Sequence, residues 1–256
     1  MNHYLVFFRK ELMEYARTYK LLIILVVFTI FGMTNPLIAK LTPELLAGVM
    51  PEGMSITIPE PTALDSWAQF FKNTQQMGMI ALVLIFSGVL SSELSRGTLV
   101  NLLTKGLSRR AVILAKYSAM LSVWSLSMLL SVALTWIYTV YLFPQDQVGV
   151  AYLLFAISCM WLFGAFVLAL LLSSSTLVQG NYGSLLLTGL VLVLLLVLNI
   201  FPSSQEFSPL SLASQNLEIA AGRIDPSSLY SAVGVTALAS LGLIALAVLM
   251  FQKKRL

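Results

Sequence analysis

Few side chains in this sequence could do covalent or acid–base chemistry, and their inventory removes most catalytic options. His3 is the only histidine. A serine–histidine dyad, a His-Glu-x-x-His metal site and bis-histidine haem ligation each need more than it offers. Cys159 is the only cysteine, so an intrachain disulfide or a cysteine metal cluster cannot form. It reads as a buried, unreactive thiol. No aspartate falls inside an apolar stretch, which removes an intramembrane aspartyl protease. No Gly-x4-Gly-Lys-Ser/Thr loop is present, so the chain does not bind ATP in the P-loop manner. It reads as a non-enzyme, with no cofactor and no metal of its own.

The segment that concentrates charge runs from Ser91 to Lys116. Glu93 follows an apolar stretch. Arg96, Gly97 and Thr98 come next, and Gly97 reads as a helix break. Leu99, Leu102 and Leu103 mark one side of a short restarted helix. Ser108 reads as the N-cap of a long helix whose first residues are Arg109 and Arg110. An acid at this place does nothing for membrane orientation, so it asks for a partner. Arg96 and Lys116 are the candidates. The bland alternative is an ordinary basic loop, since topology alone demands basic residues.

The elements that must position this segment are apolar. Hydrophobic residues make up 58% of the chain and charged ones 10%, where a soluble domain has about 25% charge. None of the 15 basic or 11 acidic side chains falls in six long apolar stretches, Leu21–Ala39, Met77–Ser91, Tyr117–Leu142, Tyr152–Leu172, Tyr182–Ile200 and Leu229–Phe251. A bilayer core about 30 Å thick takes roughly 20 helical residues. The expectation is a single all-α integral membrane domain over 1–256, with six transmembrane helices. The spans lie at about 21–39, 76–92, 113–142, 150–172, 182–200 and 229–251. With both termini cytoplasmic, every basic residue except Lys40, Lys72 and Arg223 falls inside, a strong positive-inside bias. The bases are therefore topology and headgroup signals, and no nucleic-acid partner is implied.

Residues 3–19 read as an amphipathic N-terminal interface helix, with Tyr4, Phe8, Leu12, Tyr15 and Tyr19 on one side and Arg9, Lys10, Glu14 and Arg17 on the other. Asn35-Pro36 is expected to end the first span. Pro43, Pro51, Pro59 and Pro61 argue against a continuous helix in the outer loop 40–75. Thr62 caps a helix from Ala63 that leads into the second span, with Trp67, Phe70 and Phe71 as an outer belt. Phe143-Pro144 ends the third helix. Residues 173–181 read as an uncharged inner loop. The outer loop 202–228 is expected to hold a short surface helix near 210–221, capped by Ser208 and closed at Gly222.

Glu93, then Arg96-Gly97-Thr98, then Leu102-Leu103, then Leu107-Ser108-Arg109, then Lys116 resembles the permease subunits of bacterial ABC transporters of the type 2 exporter class. The resemblance spans essentially the whole chain, and its motif lies in Glu93–Lys116. Gly106 stands where that family often has proline. The resemblance implies a dimer with a second copy or a paralogous permease in the bacterial cytoplasmic membrane. It also implies separate ATPase subunits that carry ATP and Mg below the membrane. The cytoplasmic loop 93–112 would be the coupling element, with Glu93, Arg96, Gly97, Thr98, Arg109 and Arg110 as its candidates. By the same resemblance, spans two and five line the dimer interface, which makes Ser87, Ser91, Thr188 and Asn199 pathway candidates.

Ser127, Ser131, Thr135 and Thr139, four apart on the third span, fit either a polar pathway wall or close helix packing; packing is the commoner use. Two other function classes remain. One is a membrane scaffold or sensory interaction protein working through its outer loops. The other is an ion-driven carrier, disfavoured because no acidic or basic residue lies within the apolar stretches.

Overall fold

The computed structural model describes residues 3–49, 59–95, 97–99, 104, 106–146, 148–178 and 180–254. Among these the secondary structure is helical, with no strand. Five stretches are long and apolar enough to cross a membrane: Lys20–Leu45, Ala63–Ser95, Arg109–Leu142, Val150–Leu177 and Pro226–Lys253. A further apolar helix, Tyr182–Leu198, is shorter. In chain order we label α1 (His3–Arg17), α2 (Lys20–Val49), α3 (Ala63–Asn73), α4 (Met79–Phe86), α5 (Ser91–Ser95), α6 (Arg109–Leu142), α7 (Val150–Leu177), α8 (Asn181–Leu198) and α9 (Tyr230–Lys253). Short helical turns between α8 and α9 carry no label.

The helix α2 does not stop at Asn35-Pro36 but continues to Val49, with Pro36 and Pro43 inside it. In apolar surroundings a helix is the cheapest way to satisfy backbone polar groups. Proline 36 has no N–H for the carbonyl of Gly32, four residues earlier. Thr135 supplies the missing donor: its hydroxyl donates to that carbonyl at 3.3 Å. Glycine at position 32 also lets the helices approach, because a Cβ there would lie 2.8 Å from the Leu134 Cβ. The small-residue stripe on α6 is thus a packing seam. Ser127, Ser131, Thr135 and Thr139 are all buried. Thr139 shares a 2.6 Å hydrogen bond with Ser66 of α3.

The helix α3 starts as the sequence indicates. Thr62 accepts the Asp65 N–H, and the Asp65 side chain accepts the Thr62 N–H in return, a full capping box. Trp67, Phe70 and Phe71 are not an outer belt, however. They are buried and pack on one another and on Trp136 of α6. The second span is also less regular than a helix over 76–92. It passes through a π-helical segment, Thr74–Gly78, before α4. It then breaks at Ser87–Leu90, where Gly88 takes φ 72°, before the single turn of α5. Only glycine adopts that conformation freely.

Two further expectations change. Residues 173–177 extend α7 instead of forming a loop, because Ser173, Ser174, Ser175 and Thr176 are buried and the Ser173 hydroxyl bonds the Leu243 carbonyl of α9 at 2.6 Å. The segment near 210–221 splits into Ser211–Ser214 and Asn216–Ala220, broken at Gln215. Gly222 closes it at φ 68°. It does not lie flat on a surface: Leu212, Ala213 and Ile219 are buried against the bundle. Between α6 and α7, a side chain at Gly164 would overlap the Trp124 indole, whose N–H donates to the Trp161 carbonyl at 3.0 Å. Helices in lipid gain little from apolar burial, so close fits of this kind hold them together.

Candidate functional site

The helix α6 has 34 residues, so it is roughly 51 Å long and exceeds a bilayer core by several turns. Its first turns, from Arg109 to Lys116, gather charged groups of α1 and α5 and backbone carbonyls at the end of α9. The helix α1 explains how. Its buried face runs Phe7, Glu11, Tyr15, four residues apart, at 4%, 1% and 2% exposure. Tyr4, Phe8 and Leu12 flank it, half-buried, while Tyr19 is exposed beyond the helix end. The face therefore carries a carboxylate in its middle.

That carboxylate belongs to a closed ring of alternating charge. Lys116 Nζ lies 2.9 Å from Glu11 Oε1 and 2.7 Å from Glu93 Oε2. Lys10 Nζ lies 3.0 Å from Glu11 Oε1 and 2.7 Å from Glu93 Oε1. Glu14 adds an outer contact to Lys10 at 2.6 Å. The Phe7 ring floors both ammonium groups, with centroid distances of 5.1 and 5.6 Å. The Lys116 and Glu11 side chains are 1% exposed, and a charge buried to that degree is costly without a partner. Burial works against charge on Lys10, but Glu11, Glu14 and Glu93 outweigh it and raise its pKa. Burial pushes the Tyr15 phenol up as well, and the same three carboxylates add to it.

The oxygens of Glu11, Glu14 and Glu93 come within 4.8 Å of one another, a spacing that could hold a metal. Lys10 Nζ touches all three, so an ammonium already occupies the place a cation would take.

The chain leaves this ring through Ser95. The Thr98 hydroxyl donates to the Glu93 carbonyl at 3.2 Å, and Gly97 turns the backbone at φ 67°. Thr98 and Leu99 are helical, and Leu99 is fully buried; Arg96, Leu102 and Leu103 lie outside the described residues. Ser108 caps α6 by accepting the Ala111 N–H. Arg109 then reaches α9. Its Nη1 donates to the carbonyls of Phe251, Gln252 and Lys254 at 2.9, 2.8 and 2.7 Å, and its guanidinium lies over the Phe251 ring. A cation there complements the negative end of a helix. Arg110 is exposed, with no described partner.

No protein-family model matches the chain. No curated protein matches it either.

The pathway candidates are scattered. Ser87 donates to Leu84 O and Thr188 to Ser184 O, each within its own helix. Ser91 is buried at the start of α5. Asn199 accepts from Ser211 and Gln205, tying α8 to the segment after it. None of them lines a cavity of about 740 Å³ between α4, α7 and α8. Its walls are Met79, Val83, Phe163 and Leu192, with Gln75 and Gln76 as polar groups. Sequence reasoning missed Glu11 and Lys10. The signal was there: an acid four residues from Phe7 and four from Tyr15.

Proposed function

We propose that this chain is the permease subunit of an ATP-driven ABC transporter, an exporter of the type 2 class. It has six spans, α8 being the short fifth, and both termini face the cytoplasm of a bacterial cell. Separate ATPase subunits would contact the 93–112 loop, and a second permease would complete the pathway. The observation that carries this reading is the ion ring. Glu93, at the start of that loop, is bonded at once to α1 through Lys10 and to α6 through Lys116. A push on the loop would therefore move α1 and the third span as one unit. Within this reading, exposed Thr98 and Arg110 would meet the ATPase, and Arg109 would position α9. The absence of ionisable groups through the middle of the spans leaves the cytoplasmic face as the place where energy enters.

Two experiments test it. Affinity-tagged chain from native membranes should bring down a nucleotide-binding subunit; a stable complex lacking one would favour a scaffold. In the assembled complex, Glu93→Gln should lower transport-coupled ATP hydrolysis while the subunits stay associated. Hydrolysis and transport both at wild-type rates would defeat the coupling role.

A further inference from the structure

The cavity of about 740 Å³ between α4, α7 and α8 holds two polar side chains at mid-depth in the bundle. Asn73 donates to the Asn35 side-chain oxygen at 2.6 Å, and a Cβ at Gly78 would lie 3.0 Å from the Phe28 ring. Residues 73–78 are therefore level with residues 28–35, the centre of the apolar stretch Lys20–Leu45. Gln75 and Gln76 lie in that interval and line the cavity. We propose that the cavity binds an uncharged amphipathic molecule such as a monoacylglycerol, with an apolar chain on the walls and a head of hydroxyl and ester groups on the two glutamines.

The amides are what point to a ligand. Neither the Gln75 nor the Gln76 side chain has a hydrogen-bond partner among the described residues. An amide left so at this depth is costly, since hydrocarbon supplies neither donor nor acceptor. The backbone agrees. Both glutamines belong to the π-helical segment Thr74–Gly78, which contains no proline, and π segments are rare and concentrate at functional sites. Two amides offer carbonyl acceptors and N–H donors side by side, so they can take a hydroxyl and an ester carbonyl together.

The other walls set the rest of the molecule. Val83 of α4, Phe163 of α7 and Leu192 of α8 are apolar, and no acidic or basic residue among those described lines the cavity. A charged head would stand there without a counter-charge. The volume falls within the 300–1,000 Å³ of small-molecule sites, which suits a single chain with a small head. Gly189 of α8, also in the wall, leaves this room. A Cβ at that position would meet nothing within 4 Å, so this glycine, a poor helix former, makes no tight helix contact.

The test uses the full chain in nanodiscs of phosphatidylglycerol and phosphatidylethanolamine, with a monoacylglycerol that carries a diazirine in its chain. Photolabelling should saturate and fall on α4, α7 and α8, and unlabelled monoacylglycerol should displace it. The alkyl sulfate and the plain alkane of equal chain length should compete at least about tenfold more weakly, since one brings a charge and the other has no head. The double variant Gln75→Leu/Gln76→Leu should weaken labelling about tenfold, with its melting temperature reporting that the fold is kept. Gly189→Phe fills the cavity from a position with open space and should abolish labelling, which covers the case where the glutamine variant misfolds. Labelling that does not saturate or spreads over every helix overturns the proposal, as does equal competition by the alkane or wild-type labelling in both variants. A second copy seated in the cavity would leave it unlabelled, with α4 and α8 crosslinking between chains, and would overturn it as well. These results do not depend on whether an ATPase co-purifies.

Discussion

Replacing Lys116 with methionine, similar in length but uncharged, should be the most damaging change at the ion ring. The loss leaves Glu11 and Glu93 facing each other with only Lys10 between them. Both contacts to Lys116 are shorter than 3 Å and both Lys116 and Glu11 are 1% exposed, so water cannot replace the missing cation. Removing one partner from a buried pair costs about 3–5 kcal/mol. For a chain of this size that lowers Tm by roughly 10 °C. By contrast, Glu14→Gln removes the i,i+4 contact between half-exposed Lys10 and Glu14, for about 0.5 kcal/mol or less. The double variant Lys116→Met/Glu11→Gln removes one charge of each sign and should recover part of the loss. Thermal unfolding in detergent gives the ranking. Trypsin cleavage after Arg17, between α1 and α2, reads whether α1 has come free. If Lys116→Met melts within 2 °C of wild type, or Glu14→Gln is as damaging, the ring is not what holds α1.

Three other perturbations follow from the packing. Thr135→Val keeps the shape but strips the donor from the Gly32 carbonyl that Pro36 leaves open; it should cost about 1 kcal/mol, read as a small Tm shift, and Pro36→Ala in the same chain, which returns an N–H to that carbonyl, should abolish that cost. Gly164→Ala would drive a methyl into the Trp124 indole, a ring fixed by its own hydrogen bond to Trp161, and should lower stability by about 1–3 kcal/mol with a change in tryptophan emission. Arg109→Ala should free the last turn of α9, seen as faster hydrogen exchange at residues 251–254, while Arg109→Lys, lacking the fork, should rescue only part.

Much of the helical outline was legible because its signals are local. Thr62 and Ser108 cap helices through their own side chains, and Phe143-Pro144 ends α6 through proline sterics. What escaped depends on neighbours far along the chain. Pro36 ends a helix in water, but here Thr135, about a hundred residues away, fills the vacancy. Trp67 has the composition of a belt residue, and only Trp136 and Phe70 make it a core one. Residues 173–177 look like a polar loop until the Leu243 carbonyl accepts the Ser173 hydroxyl. At the candidate site, Glu93 and Lys116 were visible as partners because they share one charged segment. Glu11 was hidden by its place on a face that the aromatic pattern seemed to define without it.

The grip of α6 on both α1 and α9 sets an order of events during synthesis. Glu11 is made 105 residues before Lys116, so α1 must wait undocked while α2 through α5 are made. Arg109 in turn is made 142 to 145 residues before the carbonyls that it clasps. Until then its guanidinium has no carbonyl of α9 to bind. The arginine at the start of α6 thus becomes the latch that closes the finished bundle.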